Sequence, residues 1–207
     1  MLNRKKMLRK VREVRKIIRR KLLKDENFTI ISNNCFGGGV YQYFDLPYNS
    51  PTVGLYFFAK DYIKFLKNLK YYLNLKLKFI PCEESKNYIY LTEDSKKVPI
   101  GILDDVEIVF LHYKSEKEAF EKWERRKKRI NWDRLIVKFN DQNNATEEDI
   151  KEFDKLDYKN KLCFIANPIE GTKNIIVFKE FLGQEYVQDF NEWKRHINII
   201  KYLNNLK

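Results

Sequence analysis

The residues best suited to chemistry cluster in one short run, Ser32-Asn33-Asn34-Cys35-Phe36-Gly37-Gly38-Gly39, which holds three of the seven glycines. Read as a loop, Gly37, Gly38 and Gly39 let backbone approach a ligand and offer free N–H groups to a phosphate or an oxyanion. Ser32, Asn33 and Asn34 supply hydroxyl and amide groups that donate and accept, as sugar hydroxyls require. The plain structural reading is a glycine-rich turn whose asparagines bond their own backbone. Cys35 sits inside the run. With His112, one of two histidines, and Asp141 as orienting carboxylate, it has the makings of a Cys-His-Asp acyl-transfer or esterase set. The competing reading is a small buried thiol and a backbone-bonded histidine.

Further along the chain, Tyr48 and Asn49 lie between Pro47 and Pro51, and Tyr113 follows His112; each ring can face a sugar or fill a core. Arg125, Arg126 and Arg129 crowd the end of one helix. They read as a solvated face paired with neighbouring glutamates, or as a diphosphate clamp, since the guanidinium fork matches phosphate geometry. Asn143 closes the polar run after Asn140. No cofactor is marked outright. A divalent metal accompanying a nucleotide-sugar donor is admitted by Asp104-Asp105 and Asp141, although no Asp-x-Asp is present; zinc spacing is absent.

These residues must be positioned by a core, and the composition supplies one. The chain has 207 residues, 43% of them hydrophobic and 15% aromatic, which excludes a wholly disordered protein. Three widely spaced cysteines make no disulfide framework, which fits a cytoplasmic protein. Apolar runs reading as strands (Phe28–Ser32, Val106–His112, Leu135–Phe139, Leu162–Ala166, Ile175–Phe178) alternate with helical patterns over Asp61–Leu73, Ser115–Arg129, Thr146–Phe153 and Phe190–Leu203. Ser115 with Glu118, and Thr146 with Asp149, are helix-start signals. The pattern predicts an α/β, three-layer fold: a largely parallel sheet with helices on both faces, as one domain over residues 26–207. At the carboxyl ends of such strands, where ligands bind, fall Ser32–Gly39, His112-Tyr113 and Asn140–Asn143.

Residues 1–25 read as a separate basic amphipathic helix. Residues 1–24 contain 12 Lys/Arg and one acid, Glu13, whereas the remainder is nearly neutral, with 29 basic and 28 acidic side chains. Leu8, Val11, Val14, Ile18 and Leu22 form one apolar stripe. The stripe either packs on the body or lies on an anionic membrane surface. A nucleic-acid arm is the weakest of the three readings, because the folded body carries no basic excess.

The blocks FTIISNNCFGGG (28–39), LPYNSPTVGLYF (46–57), LHYKS (111–115), FEKWERRKKRIN (120–131) and VKFND (137–141) resemble a bacterial family of unknown function. Its members are commonly labelled exopolysaccharide or capsular polysaccharide biosynthesis proteins. The resemblance spans about residues 20–200. It implies an α/β fold and a role in surface-polysaccharide assembly, with a saccharide or nucleotide-sugar substrate and no settled reaction. Glycosyl transfer, acyl transfer and a non-catalytic assembly module are the three expectations it leaves.

Overall fold

The computed structural model describes the backbone of residues 2–207, and all side chains except those of residues 1–5, 9 and 191. The chain runs α1 (Leu2–Lys21), β1 (Thr29–Ser32), α2 (Phe36–Phe44), α3 (Ala59–Lys67), α4 (Leu69–Asn74) and β2 (Lys78–Ile80). It continues through β3 (Ile100–Leu103), β4 (Val106–Val109), α5 (Glu116–Lys127), β5 (Leu135–Asn140) and α6 (Glu147–Lys155). It ends with β6 (Lys161–Ile165), β7 (Ile175–Val177), α7 (Asp189–His196) and α8 (Ile199–Asn204).

The strands form two sheets. Four are parallel in the order β1-β5-β6-β7, with Thr29 beside Leu135, Val137 beside Lys161 and Cys163 beside Ile175. The other three are antiparallel in the order β2-β3-β4. This corrects the expectation of one largely parallel sheet. The apolar run Val106–His112 is buried across β4, which made it resemble a parallel core strand, but it closes a tight hairpin. Asp104, in the left-handed region at φ 55°, makes that turn. Gly101 on β3 has no substitute, since a Cβ there would sit 2.6 Å from the Phe110 ring and 2.8 Å from Leu77.

Alternate side chains of the parallel strands enter two separate cores. Ile30, Ile136, Leu162 and Phe164 pack with Phe36, Val40 and Phe44 of α2, Trp193 of α7 and Leu203 of α8. Ile31, Val137, Phe139 and Cys163 pack with Tyr62 and Phe65 of α3, Trp123 of α5 and Phe153 of α6. Helix starts follow the sequence signals. Ser115 Oγ accepts from Glu118 N (3.2 Å), and Thr146 with Asp149 forms a complete capping box. Between the neighbouring strands β1 and β5 the chain makes an excursion of about 100 residues, and this excursion delivers half of the candidate site.

Four helical expectations change, two of them by division: Asp61–Leu73 breaks at Asn68 into α3 and α4, and Phe190–Leu203 breaks at Ile197-Asn198 into α7 and α8. The glycine run is no loop, because residues 36–44 are helical. Its glycines permit close packing: added Cβ atoms would meet Ile30 Cγ2 at 3.3 Å (Gly37), Val53 Cγ1 at 3.1 Å (Gly38) and Phe190 Cε2 at 3.2 Å (Gly39). In α1 the stripe does not pack on the body: Leu8, Val11, Val14, Ile18 and Leu22 stay 41–54% exposed. Contact is made instead by the polar side. Arg19 lies 3.8 Å above the Tyr43 ring, Lys16 reaches Asp45 (3.3 Å), and Asn204 bonds Lys24 N and Leu22 O. The Arg4, Lys5 and Arg9 side chains of the expected cationic face lie outside the described residues.

Candidate functional site

The carboxyl edge of the parallel sheet holds a buried polar network. Lys138 on β5 is fully buried and forms an ion pair with Asp189, the first residue of α7, which is 1% exposed. Lys138 Nζ also donates to Asn34 Oδ1 (3.0 Å). Asn34 Nδ2 donates to Asp189 Oδ1 (2.9 Å) and Gln142 Oε1 (3.1 Å), and Asn33 Nδ2 donates to Asn140 Oδ1 (2.7 Å). Ser32 Oγ and Phe36 N complete the set on Asn34 Oδ1 (3.2 and 3.1 Å). Burial between the Phe36 and Phe164 rings pushes the Lys138 ammonium below its ordinary pKa, and Asp189 opposes that shift. The network joins β1, β5, α2 and α7.

Beside it opens a cavity of about 360 Å³. Cys35, Gly38, Gly39, Tyr48, His112, Tyr113 and Arg126 of the sequence-nominated residues line it, together with Gln42, Lys122 and Phe190. Parts of two of the three expected clusters meet here, Cys35, Gly38 and Gly39 with His112-Tyr113, whereas Asn140–Asn143 stay outside: α2 and its N-cap bring the thiol, the glycines and Gln42, α7 brings Phe190, and later parts of the excursion bring the rest. Arg126 is 6% exposed and fixes the wall, donating to Tyr113 Oη (2.6 Å) and Val53 O (3.0 Å) with its guanidinium 4.9 Å from the Tyr48 ring. Gly54, at φ 82°, passes under Tyr113 where a Cβ would approach that ring to 3.2 Å. His112 is exposed at the rim. Burial pushes the Cys35 thiol up to about 11; Asp189 adds to the rise and Lys138 opposes it.

The other nominated residues lie elsewhere. Asp141 does not reach His112's cavity: its carboxylate accepts from Ala166 N (2.6 Å) and Val187 N (2.9 Å), tying two loops. Burial raises its pKa, and those backbone donors pull it back. Ser32, Asn33 and Asn34 belong to the network behind the cavity, and Gly37 backs onto Ile30. Asn49 O accepts from Thr29 Oγ1 (3.0 Å). Asn143, left-handed at φ 59°, donates to Phe57 O (3.1 Å). Arg125 is solvent-exposed and Arg129 reaches Tyr48 O (3.4 Å), so the three arginines form no common clamp. Asp105 is engaged by Lys64 and Tyr72, and Asp104 by Tyr71. Among the described residues no group of three or more His, Cys, Asp or Glu is gathered as metal ligands.

Sequence reasoning missed Lys138, Asp189, Gln42, Lys122 and Phe190. Lys138 left a signal, a lone cation in the apolar run LIVKF. Asp189 left none. Another cavity opens at the opposite, amino-terminal edge of the sheet against Trp132 and Asp157–Asn160, but it contains none of the nominated groups. Parallel sheets bind ligands at the other edge.

These features define a mixed α/β protein with a four-stranded parallel sheet, a small antiparallel sheet, and a cavity beside the parallel sheet's carboxyl edge. The family described as Domain of unknown function (DUF1919) matches residues 5–207, and the chain belongs to that family. It is also similar to an "Uncharacterized protein" of Haemophilus influenzae. The two are 36% identical over 180 residues, which cover 87% of this chain and 81% of that protein.

Proposed function

We propose that the protein is a group transferase acting on a saccharide in surface-polysaccharide assembly, with glycosyl transfer as the reaction and the 360 Å³ cavity as its site. One observation carries this reading: a cavity of monosaccharide-to-disaccharide size gathers two tyrosine faces, an amide, two cations and one imidazole from separate parts of the chain. Tyr48 and Tyr113 offer rings to a sugar face, while Gln42, Lys122 and Arg126 offer hydroxyl partners. In this reading His112, exposed at the cavity rim, takes the proton from an acceptor hydroxyl. The hydroxyl oxygen then bonds to the anomeric carbon, and the bond from that carbon to the donor phosphate breaks, its electron pair leaving with the phosphate. The pathway is supported by the label that members of the family of unknown function it resembles commonly carry. A thermal-shift screen of the full chain tests the reading, since a ligand that binds only the folded state raises its apparent stability. A nucleotide sugar should raise the transition, with the rise abolished in Tyr48→Ala. A rise with acyl-CoA alone, or with neither class, would overturn it.

Attachment to an anionic membrane surface belongs to the same proposal. Among the described residues no helix is long and apolar enough to cross a membrane. Yet α1 leaves an apolar stripe exposed on a strongly cationic helix. Each buried aliphatic side chain contributes about 1.5–3 kcal/mol, and each nearby Lys or Arg about 1 kcal/mol at an anionic leaflet. The chain should therefore sediment with phosphatidylglycerol vesicles and not with phosphatidylcholine ones, and Val14→Glu/Ile18→Glu should release it. Retention by that variant would remove the membrane from the proposal.

A further inference from the structure

We infer that the groove between α1 and the α2–α7 face is a diphosphate-binding site continuous with the saccharide cavity. The groove has a volume of about 670 Å³ and is lined by Arg12, Arg15, Lys16, Arg19 and Lys194 against a single carboxylate, Asp45. Arg12, Arg15, Lys16 and Arg19 follow the three-and-four spacing that places side chains on one helix face. Lys16 is neutralised by Glu13 and Asp45. Among the described residues the other four have no carboxylate within ion-pair distance. Two of them are held in place by aromatic rings: Arg19 lies 3.8 Å over Tyr43, and Lys194 lies 5.4 Å from Trp193 and 5.8 Å from Tyr43. Cations so positioned lose little freedom when an anion arrives.

Gly39, Gln42 and Phe190 line both the groove and the saccharide cavity, so the two spaces adjoin. Gly39 keeps their junction free of a side chain. A ligand with its sugar against Tyr48 and Tyr113 would pass that junction and lay its phosphates among the arginines. This inference deepens the transferase reading and rests on it for the identity of the sugar end. It names the donor class as a diphosphate-linked saccharide, carried either on a nucleotide or on a lipid. It also gives α1 a second task, since the groove exists only where that helix lies over α2.

The test is calorimetric titration of inorganic pyrophosphate into the full chain at physiological ionic strength. Saturable binding is expected. Arg12→Gln/Arg15→Gln, both exposed and therefore dispensable for folding, should weaken it at least about tenfold, the equivalent of one charge-assisted contact. Lys10→Gln/Lys21→Gln removes the same charge from about half a turn round the helix and should leave binding within about twofold. Equal losses in the two double variants would reduce the effect to a diffuse field, and no saturable binding by the unaltered chain would end the inference. Parallel titrations with UDP and with farnesyl diphosphate tell a nucleotide-linked diphosphate from a lipid-linked one. Pyrophosphate carries no sugar, so the two readings can fail separately. Binding of pyrophosphate without a response to any nucleotide sugar or acyl-CoA keeps the groove and removes the transfer reaction.

Discussion

Lys138→Met should cost about 3–5 kcal/mol of unfolding free energy, the range for leaving one buried charge without its partner. Lys138 is fully buried and Asp189 is 1% exposed, so water cannot replace the lost ammonium. A domain of this size is stable by about 5–15 kcal/mol, so the loss takes a large share. Asp189→Asn should cost a comparable amount, stranding the ammonium instead. Removing both charges in Lys138→Met/Asp189→Leu should recover most of the loss, because an apolar pair of similar volume avoids the desolvation penalty. The cycle is read from urea midpoints at constant slope. A single-variant loss under about 1 kcal/mol would show that the pair holds nothing together. The loss should also reach the cavity, since Asp189 opens the helix that carries Phe190, Trp193 and Lys194.

What the sequence could and could not reveal follows from which interactions are local. Thr146-x-x-Asp149 encodes its cap within four residues, and the cap forms. The apolar runs of β1, β5, β6 and β7 encode burial, and each is a strand of the parallel sheet. Burial alone does not encode a partner: Val106–Val109 is as apolar as those runs, yet pairs antiparallel with β3. Gly37–Gly39 was ambiguous for a related reason. Three glycines favour a loop by propensity, but here they lie where helix α2 meets Ile30, Val53 and Phe190 too closely for side chains. Tertiary packing overrides propensity there: Gly37 and Gly38 fall in the first turn of α2, where N–H groups have no intrahelical acceptor, and Gly39 N donates to Cys35 O (3.1 Å). The α1 stripe reverses the usual inference from amphipathicity. Its polar side, not its apolar one, meets the body, through Arg19 on Tyr43 and Lys16 on Asp45. Cys35, Tyr48, His112, Tyr113 and Arg126 do share one cavity, but Asn34 and Asp141 are occupied with the fold.

The largest effect on activity should come from His112→Gln, and its comparison with Cys35→Ala separates the two transfer chemistries. As proton acceptor for a sugar hydroxyl, His112 should be worth about 10²–10⁴ in kcat, with KM little changed because the ring takes no part in holding the donor. Cys35→Ala should then keep most of the activity, its loss confined to altered packing at the cavity floor. An acyl transferase would behave in the opposite way. Its nucleophile would be the Cys35 thiolate, and Cys35→Ala would abolish turnover. The structure gives that thiol poor prospects: burial lifts it to about 11, so the thiolate is scarce near neutral pH, and Asp141 is bound to backbone rather than orienting the imidazole. Thiolate chemistry would also leave its mark on the pH profile. The reactive form increases about tenfold per pH unit until the thiol titrates near 11, so activity would climb throughout the alkaline range. Proton transfer to His112 needs no thiolate, so it predicts no climb tied to Cys35, and the pH profile of Cys35→Ala should match that of the unaltered chain. A full loss in Cys35→Ala together with a continuing alkaline rise would transfer the reaction from a sugar carbon to an acyl carbon.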